Sequence, residues 1–307
     1  KKQPTFRRSG IYCGLPGRRP KEVLRVVNIV LQELGDIPKG SVKDILTIVH
    51  ECYERLQPHG VDILDILLFS NPSKMNAFYS SERSTMHVAS EDFGESFVAM
   101  HDAWRGTPRI GVCMSRMKDL PPLIQTGTLR HEVGHSVLHG SMEYYVFPIC
   151  VPLIQAAKRL GLTKEYSFNL LYLISIAVKD FEVTRLLSGK GYVEDQLAYS
   201  NHVLRTSKED LSAWQLSKGD PARMALCLAA RLKDTACLVA LQPKIGEPLV
   251  VDRIKDELSY LQDPILNETL KTLKRFPQAT VGDTFQNVAA MTKTFVEDLL
   301  QPLFIQP

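Results

Sequence analysis

The sequence predicts an α+β fold, with a small mixed sheet in the N-terminal half and a mostly helical subdomain after it. Short runs of apolar and β-branched residues, separated by Gly, Pro and charged residues, predict strands between positions 61 and 114. Apolar residues at helical spacing dominate positions 207–304. Between these regions lies a predicted helix, from about 124 or 128 to 139, that carries three histidines and a glutamate.

Composition limits the class of protein. The 307 residues suit one large or two ordinary domains, and 44% hydrophobic and 23% charged residues are typical of globular proteins. A net charge of +3 without a nucleic-acid-binding motif or a basic stripe argues against a nucleic-acid partner. No apolar stretch is long enough for a membrane span. The six cysteines include no C-x-x-C pair, which favours reduced thiols and a cytoplasmic location.

Composition also divides the chain into three parts. Residues 1–19 are basic and rich in Gly and Pro, which predicts a flexible arm. Residues 20–195 contain the predicted sheet and the helices beside it, and they form the predicted core domain. Residues 196–307 form the predicted helical subdomain, which would close one side of a cleft.

Periodicity and turn residues define the individual elements. In the core we expect helices over 20–34, 41–56 and 166–187, a buried strand over 61–69, and short strands over 86–89, 96–101 and 109–114. In the helical subdomain we expect helices over 208–216, 221–241, 252–261, 264–276 and 281–300. We predict that strand 109–114 is an edge strand, which either binds an extended peptide by strand addition or has no such role.

The central motif is H-E-x-x-H, formed by His131, Glu132 and His135. On a helix, residues four apart lie on the same face, so both imidazoles can bind one metal ion. Glu132 lies about 100° around the helix from His131, where it can take a proton from a water molecule at the metal. Gly134 is unfavourable inside a helix and predicts close approach of another element at that turn.

His139 extends the series of histidines but is not a predicted ligand. On a straight helix it lies about 12 Å along the axis from His131, which is too far for one ion to bind all three imidazoles. The longer metzincin motif is absent as well, because position 138 is not Gly and position 141 is not His. We therefore predict a supporting or structural role for His139.

A third ligand is expected from the apolar helix 166–187, which carries Asp180 and Glu182 near its end. A buried carboxylate needs a partner, and a metal ion is one. Residues two apart on a helix face different sides, so only one of the two can bind. We predict Glu182, with Asp180 as the alternative. An ion pair of Glu182 with Lys179 or Arg185 is the other interpretation.

The motif and the downstream helical acid resemble the gluzincin branch of the zinc metallopeptidases. The stretch 131–140, HEVGHSVLHG, is locally similar to small anti-repressor-type peptidases and minigluzincins. The resemblance implies a zincin-like sheet with an active-site helix, one zinc ion bound by His131, His135 and Glu182, and Glu132 as general base. Many gluzincins carry a further acid one turn after the ligand glutamate, where this chain has Leu186.

The predicted function is zinc-dependent hydrolysis of a peptide or protein substrate. Tyr192, Tyr199 and His202 are the candidates for stabilising the oxyanion. One alternative is a non-catalytic zincin-like module that binds metal or another protein, with a fourth protein ligand such as Cys13. The stretch 13–16, CGLP, resembles the cysteine-switch propeptide of matrix metallopeptidases. The other alternative is a helical interaction protein in which the motif is accidental.

Overall fold

A computed structural model of the chain describes residues 26–85 and 97–305, and these form a mixed sheet with many helices. The strands are β1 Asn28–Leu34, β2 Ile63–Phe69, β3 Ala99–Asp102 and β4 Arg109–Cys113. Their order in the sheet is β1-β2-β4-β3, with β1, β2 and β4 parallel and β3 antiparallel to β4. The predicted α+β class is therefore confirmed. The predicted arm 1–19 and strand 86–89 lie outside the described residues.

The predicted helix 20–34 is wrong in the part that the structure describes. Residues 28–34 form β1, which pairs in parallel with β2 from Asn28↔Ile63 to Leu34↔Phe69. The segment contains the β-branched residues Val27, Ile29 and Val30, which favour a strand. Val27 is buried while Val30 is half exposed. The apolar run that we interpreted as a helical face is explained by pairing with a neighbouring strand.

Strand β4 is also not at the edge where the sequence placed it. It lies between β2 and β3, and all of its residues are buried. The short strand β3 pairs antiparallel with β4, and among the described strands β3 and β1 form the two edges of the sheet. The buried strand predicted over 61–69 is confirmed as β2.

The helices around the sheet include the predicted histidine-bearing helix. They are α1 Lys39–Arg55, α2 Pro72–Thr85, α3 Met114–Met117 and α4 Pro122–His139. Helices α1 and α4 confirm the predictions for 41–56 and 124–139. Pro122 lies in the first turn of α4, where its missing N–H costs no hydrogen bond, and Gly140 follows the last residue. Helix α2 was not predicted, since its sequence is polar and only weakly amphipathic.

The C-terminal half is helical throughout its described residues. Its helices are α5 Val151–Leu160, α6 Lys164–Gly189, α7 Glu194–Leu204, α8 Lys208–Ser217, α9 Pro221–Ala240, α10 Gln242–Ile245, α11 Glu247–Glu257, α12 Asp263–Lys274, α13 Phe276–Ala279, α14 Thr284–Phe295 and α15 Gln301–Phe304, with a π-helical turn at Val296–Leu300. The helix predicted over 166–187 is confirmed as α6. No helix among the described residues is long and apolar enough to cross a membrane.

Helix α6 connects the two main hydrophobic cores. Its N-terminal part, including Leu170 and Ile174, belongs to the core of the helical half. Near its C-terminal end, Val183 and Leu187 belong to the core beneath the sheet, where they join Val133 of α4. Since α6 packs against both α4 and α9, its side chains can meet those of both helices at one place.

Gly134 marks the close approach of α4 and α6. A Cβ added at Gly134 would lie 2.6 Å from Cγ1 of the buried Val183. We expect Gly134→Ala to lower the free energy of unfolding by about 1 kcal/mol, because overpacking costs about 1–3 kcal/mol and helix propensity returns about 1. Denaturant unfolding of the metal-free protein measures this change.

The matched control for this prediction is Gly189→Ala. Gly189 is the last residue of α6, and no atom lies within 4 Å of a Cβ built there. We expect this variant to be neutral or up to about 1 kcal/mol more stable. Equal effects of the two substitutions would show that the α4–α6 contact is not tight at Gly134.

Candidate metal centre

Three donor atoms from α4 and α6 converge on one point. His131 and His135 lie one helical turn apart, and their Nε2 atoms are 3.1 Å from each other. Asp180 reaches them from α6, with Oδ1 3.1 Å from His135 Nε2 and 3.6 Å from His131 Nε2. The structure thus brings together the two motif histidines and the acid that sequence reasoning held as the alternative.

The spacing of these atoms fits a zinc ion. In a tetrahedral zinc site with bonds of about 2.0–2.1 Å, neighbouring donor atoms lie about 3.3–3.4 Å apart. The observed separations of 3.1, 3.1 and 3.6 Å match one face of such a tetrahedron. Two imidazoles and a carboxylate are also ligand types that zinc binds readily.

The protonation of these groups favours metal binding. Burial lowers the pKa of His135 to about 3, so its imidazole is neutral at pH 7. Burial opposes ionisation of Asp180, but hydrogen bonds with His131 and His135 outweigh this effect and hold the pKa of Asp180 below its usual range. Metal ligands must be neutral imidazole and ionised carboxylate, and the pKa shifts of His135 and Asp180 favour these forms.

Glu182, the predicted third ligand, points elsewhere. Its Oε2 lies 2.9 Å from His139 Nε2 and accepts a hydrogen bond from Thr284 Oγ1 at 2.8 Å, and its Oε1 accepts one from Asn287. Residues two apart on a helix are rotated about 200° from each other, so Asp180 and Glu182 cannot face the same ligand. The structure therefore places Asp180, and not Glu182, with His131 and His135.

His139 lies where a supporting role predicts it. Its Nδ1 is 3.2 Å from His135 Nδ1, and its Nε2 meets Glu182. A hydrogen-bonded chain thus runs from Glu182 through His139 to His135, with the donor at each step set by the tautomers. Such a chain fixes the ring orientation of a ligating histidine and raises its basicity.

Glu132 is buried beside the centre, with 6% of its surface exposed. Burial is the main cause that raises the pKa of Glu132 to about 7, and the negative Asp180 adds to it. The nearby His131 and a hydrogen bond from the backbone of His101 oppose this shift. A carboxyl group with a pKa near neutrality can both accept and return a proton at pH 7.

The edge strand β3 lies directly against this site. The N–H of Cys113 donates to the carbonyl of Val98 at 2.8 Å, so the alternation of antiparallel pairs turns the backbone amides of Ala99, His101 and Ala103 outwards. The His101 amide meets Glu132, and the Ala103 N–H donates to Tyr145 Oη at 2.8 Å. The His101 ring also stacks on the His135 ring, with centroids 5.9 Å apart.

A cysteine from a third helix lies near two of these three donors. Cys237 of α9 lies with His131 and Asp180 in a group whose ligand atoms are all within 4.8 Å of one another. The thiol is buried, and its Sγ lies 4.0 Å from the backbone oxygen of Asp180. Sequence reasoning missed Cys237, because it is one apolar-looking position in a helix of apolar residues.

The three oxyanion candidates lie in different places. Tyr199 contacts the site, with its ring centroid 4.6 Å from that of His131. Burial raises the pKa of Tyr199 well above its usual value, so its hydroxyl stays protonated. Tyr192 instead donates to Glu51 at 2.9 Å beneath the guanidinium group of Arg130. His202 is half buried. Burial lowers its pKa, and the positive charge of Arg205 lowers it further.

Comparison of this chain with protein-family models, with curated proteins and with solved structures gave no match. The resemblance to gluzincins therefore stays a prediction that rests on residues 131–140 and on a downstream helical acid. Cys13, the predicted blocking thiol, lies outside the described residues.

Proposed function

We propose that the chain is a zinc-dependent metallopeptidase whose ion is held by His131, His135 and Asp180, with Glu132 as general base. The observation that carries the proposal is the triangle of Nε2, Nε2 and Oδ1 atoms, which has the edge lengths of a zinc site. A zinc ion at this position supplies Lewis acidity, which acidifies water and polarises a carbonyl group.

Glu132 supplies the proton transfers. Its carboxylate accepts a proton from the attacking water and then gives that proton to the leaving amine. The His101 backbone N–H holds the carboxyl group in place at the site. Burial raises the pKa of Glu132 to about 7 in the site without metal, and a carboxyl group that exchanges protons readily can serve first as base and then as acid.

The edge strand β3 defines how a substrate would lie. An extended peptide can add to the outward backbone groups of Ala99 and to the His101 carbonyl group, beside the His101 N–H that Glu132 already engages. The Ala103 N–H donates a hydrogen bond to Tyr145 Oη. The Tyr145 side chain must therefore be displaced before a peptide can pair along the whole strand. The substrate is therefore an unfolded or extended polypeptide segment, because a folded strand is already paired.

Tyr199 is the residue best placed to donate to the developing oxyanion. Its ring contacts His131, and its protonated phenol is a hydrogen-bond donor at pH 7.

The described cysteines are free thiols, and on this ground we propose a cytoplasmic location. They are Cys52, Cys113, Cys150, Cys227 and Cys237.

A metal-binding protein without peptidase activity is the second candidate. The buried thiol of Cys237 beside the triangle favours it, because a fourth protein ligand is typical of a structural zinc site. The site is also enclosed, since the His135 and Asp180 side chains are only 12% and 15% exposed.

Metal removal tests the proposal. We expect the full chain, prepared without chelators, to contain about one zinc per molecule, and to cleave an unfolded polypeptide labelled with a quenched fluorophore. Dialysis against a chelator should abolish cleavage, and added zinc should restore it. Cleavage that persists without metal would exclude the mechanism, while bound zinc without any cleavage would support the second candidate.

A further inference from the structure

We infer that the Cys237 thiolate is the fourth protein ligand of this centre and closes it in the resting protein. The inference rests on the proposed metal site of His131, His135 and Asp180. It goes beyond that site because it assigns a ligand from a third helix and a closed resting state.

The packing of α9 against α6 brings the thiol to the site. Asp180 lies on the face of α6 that meets α9, and the Cys237 Sγ contacts its backbone oxygen at 4.0 Å. One ligand atom each from His131, Asp180 and Cys237 lies within 4.8 Å of the others. The donors therefore come from α4, α6 and α9, which together enclose the site.

The thiol has to approach the other donors more closely to bind the same ion. In a tetrahedral zinc site with a Zn–S bond of about 2.3 Å, sulfur and nitrogen ligands lie about 3.6 Å apart. The 4.8 Å limit holds for His131 and Asp180 and does not extend to His135, and rotation about the Cys237 χ1 angle is the movement by which the sulfur approaches them. Cys237 is only 1% exposed, so bulk water does not compete with it from the α9 side.

Four protein ligands leave the centre no open position. Water then reaches the ion only by displacing the thiolate, and Glu132 acts on water that has done so. The rate of cleavage by the zinc-loaded protein is therefore limited by how often the thiolate leaves.

Cobalt substitution of the full chain tests this ligand set. We expect the Co²⁺ form of the unmodified protein to show a thiolate-to-cobalt charge-transfer band in the near ultraviolet. Cys237→Ser should lose this band and keep the visible bands of bound cobalt. The matched control is Cys227→Ser on the same helix, which should keep both, since Cys227 is partly buried and is not part of the group.

X-ray absorption by the zinc-loaded unmodified protein gives a second readout that needs no variant. We expect one sulfur neighbour at about 2.3 Å together with nitrogen and oxygen neighbours at about 2.0–2.1 Å. Nitrogen and oxygen neighbours alone would overturn the inference and leave the three-ligand site intact. A charge-transfer band that persists in Cys237→Ser and disappears in Cys13→Ser would overturn it in favour of Cys13. Failure to bind cobalt or zinc at all would overturn the proposed function as well.

Discussion

We expect Glu132→Gln to lower the rate of the proposed peptide hydrolysis by about 10²–10⁴-fold, the usual contribution of a general base, and to leave the zinc content unchanged. Glutamine keeps the shape of the side chain and can still accept the hydrogen bond from the His101 backbone. It cannot take up a proton, so water at the site is no longer activated. The rate of cleavage of the quenched polypeptide and elemental analysis of the same sample measure the two effects.

The control for this substitution is Glu143→Gln. Glu143 is an exposed glutamate in the 3₁₀ turn Met142–Tyr145, which follows α4. Its substitution should leave both the rate and the zinc content at the level of the unmodified protein. Full activity in Glu132→Gln would remove this residue from the mechanism, whereas loss of zinc would show that Glu132 acts on the ligand set.

The residues on α4 were predictable because they depend only on local geometry. The motif spans little more than one helical turn, from His131 to His135 with Glu132 between them. Any α-helix therefore places the two imidazoles on one face. The prediction that His139 is a supporting residue followed from the rise of 1.5 Å per residue, and the structure places it between His135 and Glu182. These statements needed no knowledge of the tertiary structure.

The choice between Asp180 and Glu182 could not be made in the same way. Both carboxylates lie near the end of an apolar helix, and the rotation of α6 relative to α4 decides which one meets the histidines. That rotation is set by packing contacts such as Gly134 with Val183, which the sequence does not specify. Cys237 was missed for the same reason, because its approach depends on how α9 crosses α6.

Strand β1 shows the other limit of sequence reasoning. The apolar residues of 23–31 are dense enough to fit a helical face as well as a strand, and propensity alone did not decide between them. Parallel pairing with β2 decides it, since Ile29 and Leu31 are partly buried against the core beneath the sheet once the strand pairs with a neighbour that is distant in sequence. The edge position of β3 is likewise a property of the sheet order and not of the local sequence.

We expect Asp180→Asn to weaken zinc binding by more than about 100-fold, because it removes a ligand charge at the proposed centre. Removal of a supporting partner typically costs only about 10–100-fold. Glu182→Gln is the matched variant on the same helix, and we expect its loss of affinity to stay within that 10–100-fold range. Competition with a zinc-binding dye measures both affinities. A larger loss in Glu182→Gln would reinstate Glu182 as the ligand.

Unfolding of the metal-free variants separates the two roles further. Glu182 accepts hydrogen bonds from Thr284 and Asn287 and meets His139, so it connects α6 to α14 and α4 without any metal. Glu182→Gln should therefore lower the free energy of unfolding of the metal-free protein by about 1–3 kcal/mol. Asp180→Asn should instead lose most of the stabilisation that added zinc gives, because a ligand stabilises a fold only through its affinity for the folded state. If one variant lost both the stability of the metal-free protein and the stabilisation by added zinc, the two carboxylates would act as one unit at the metal.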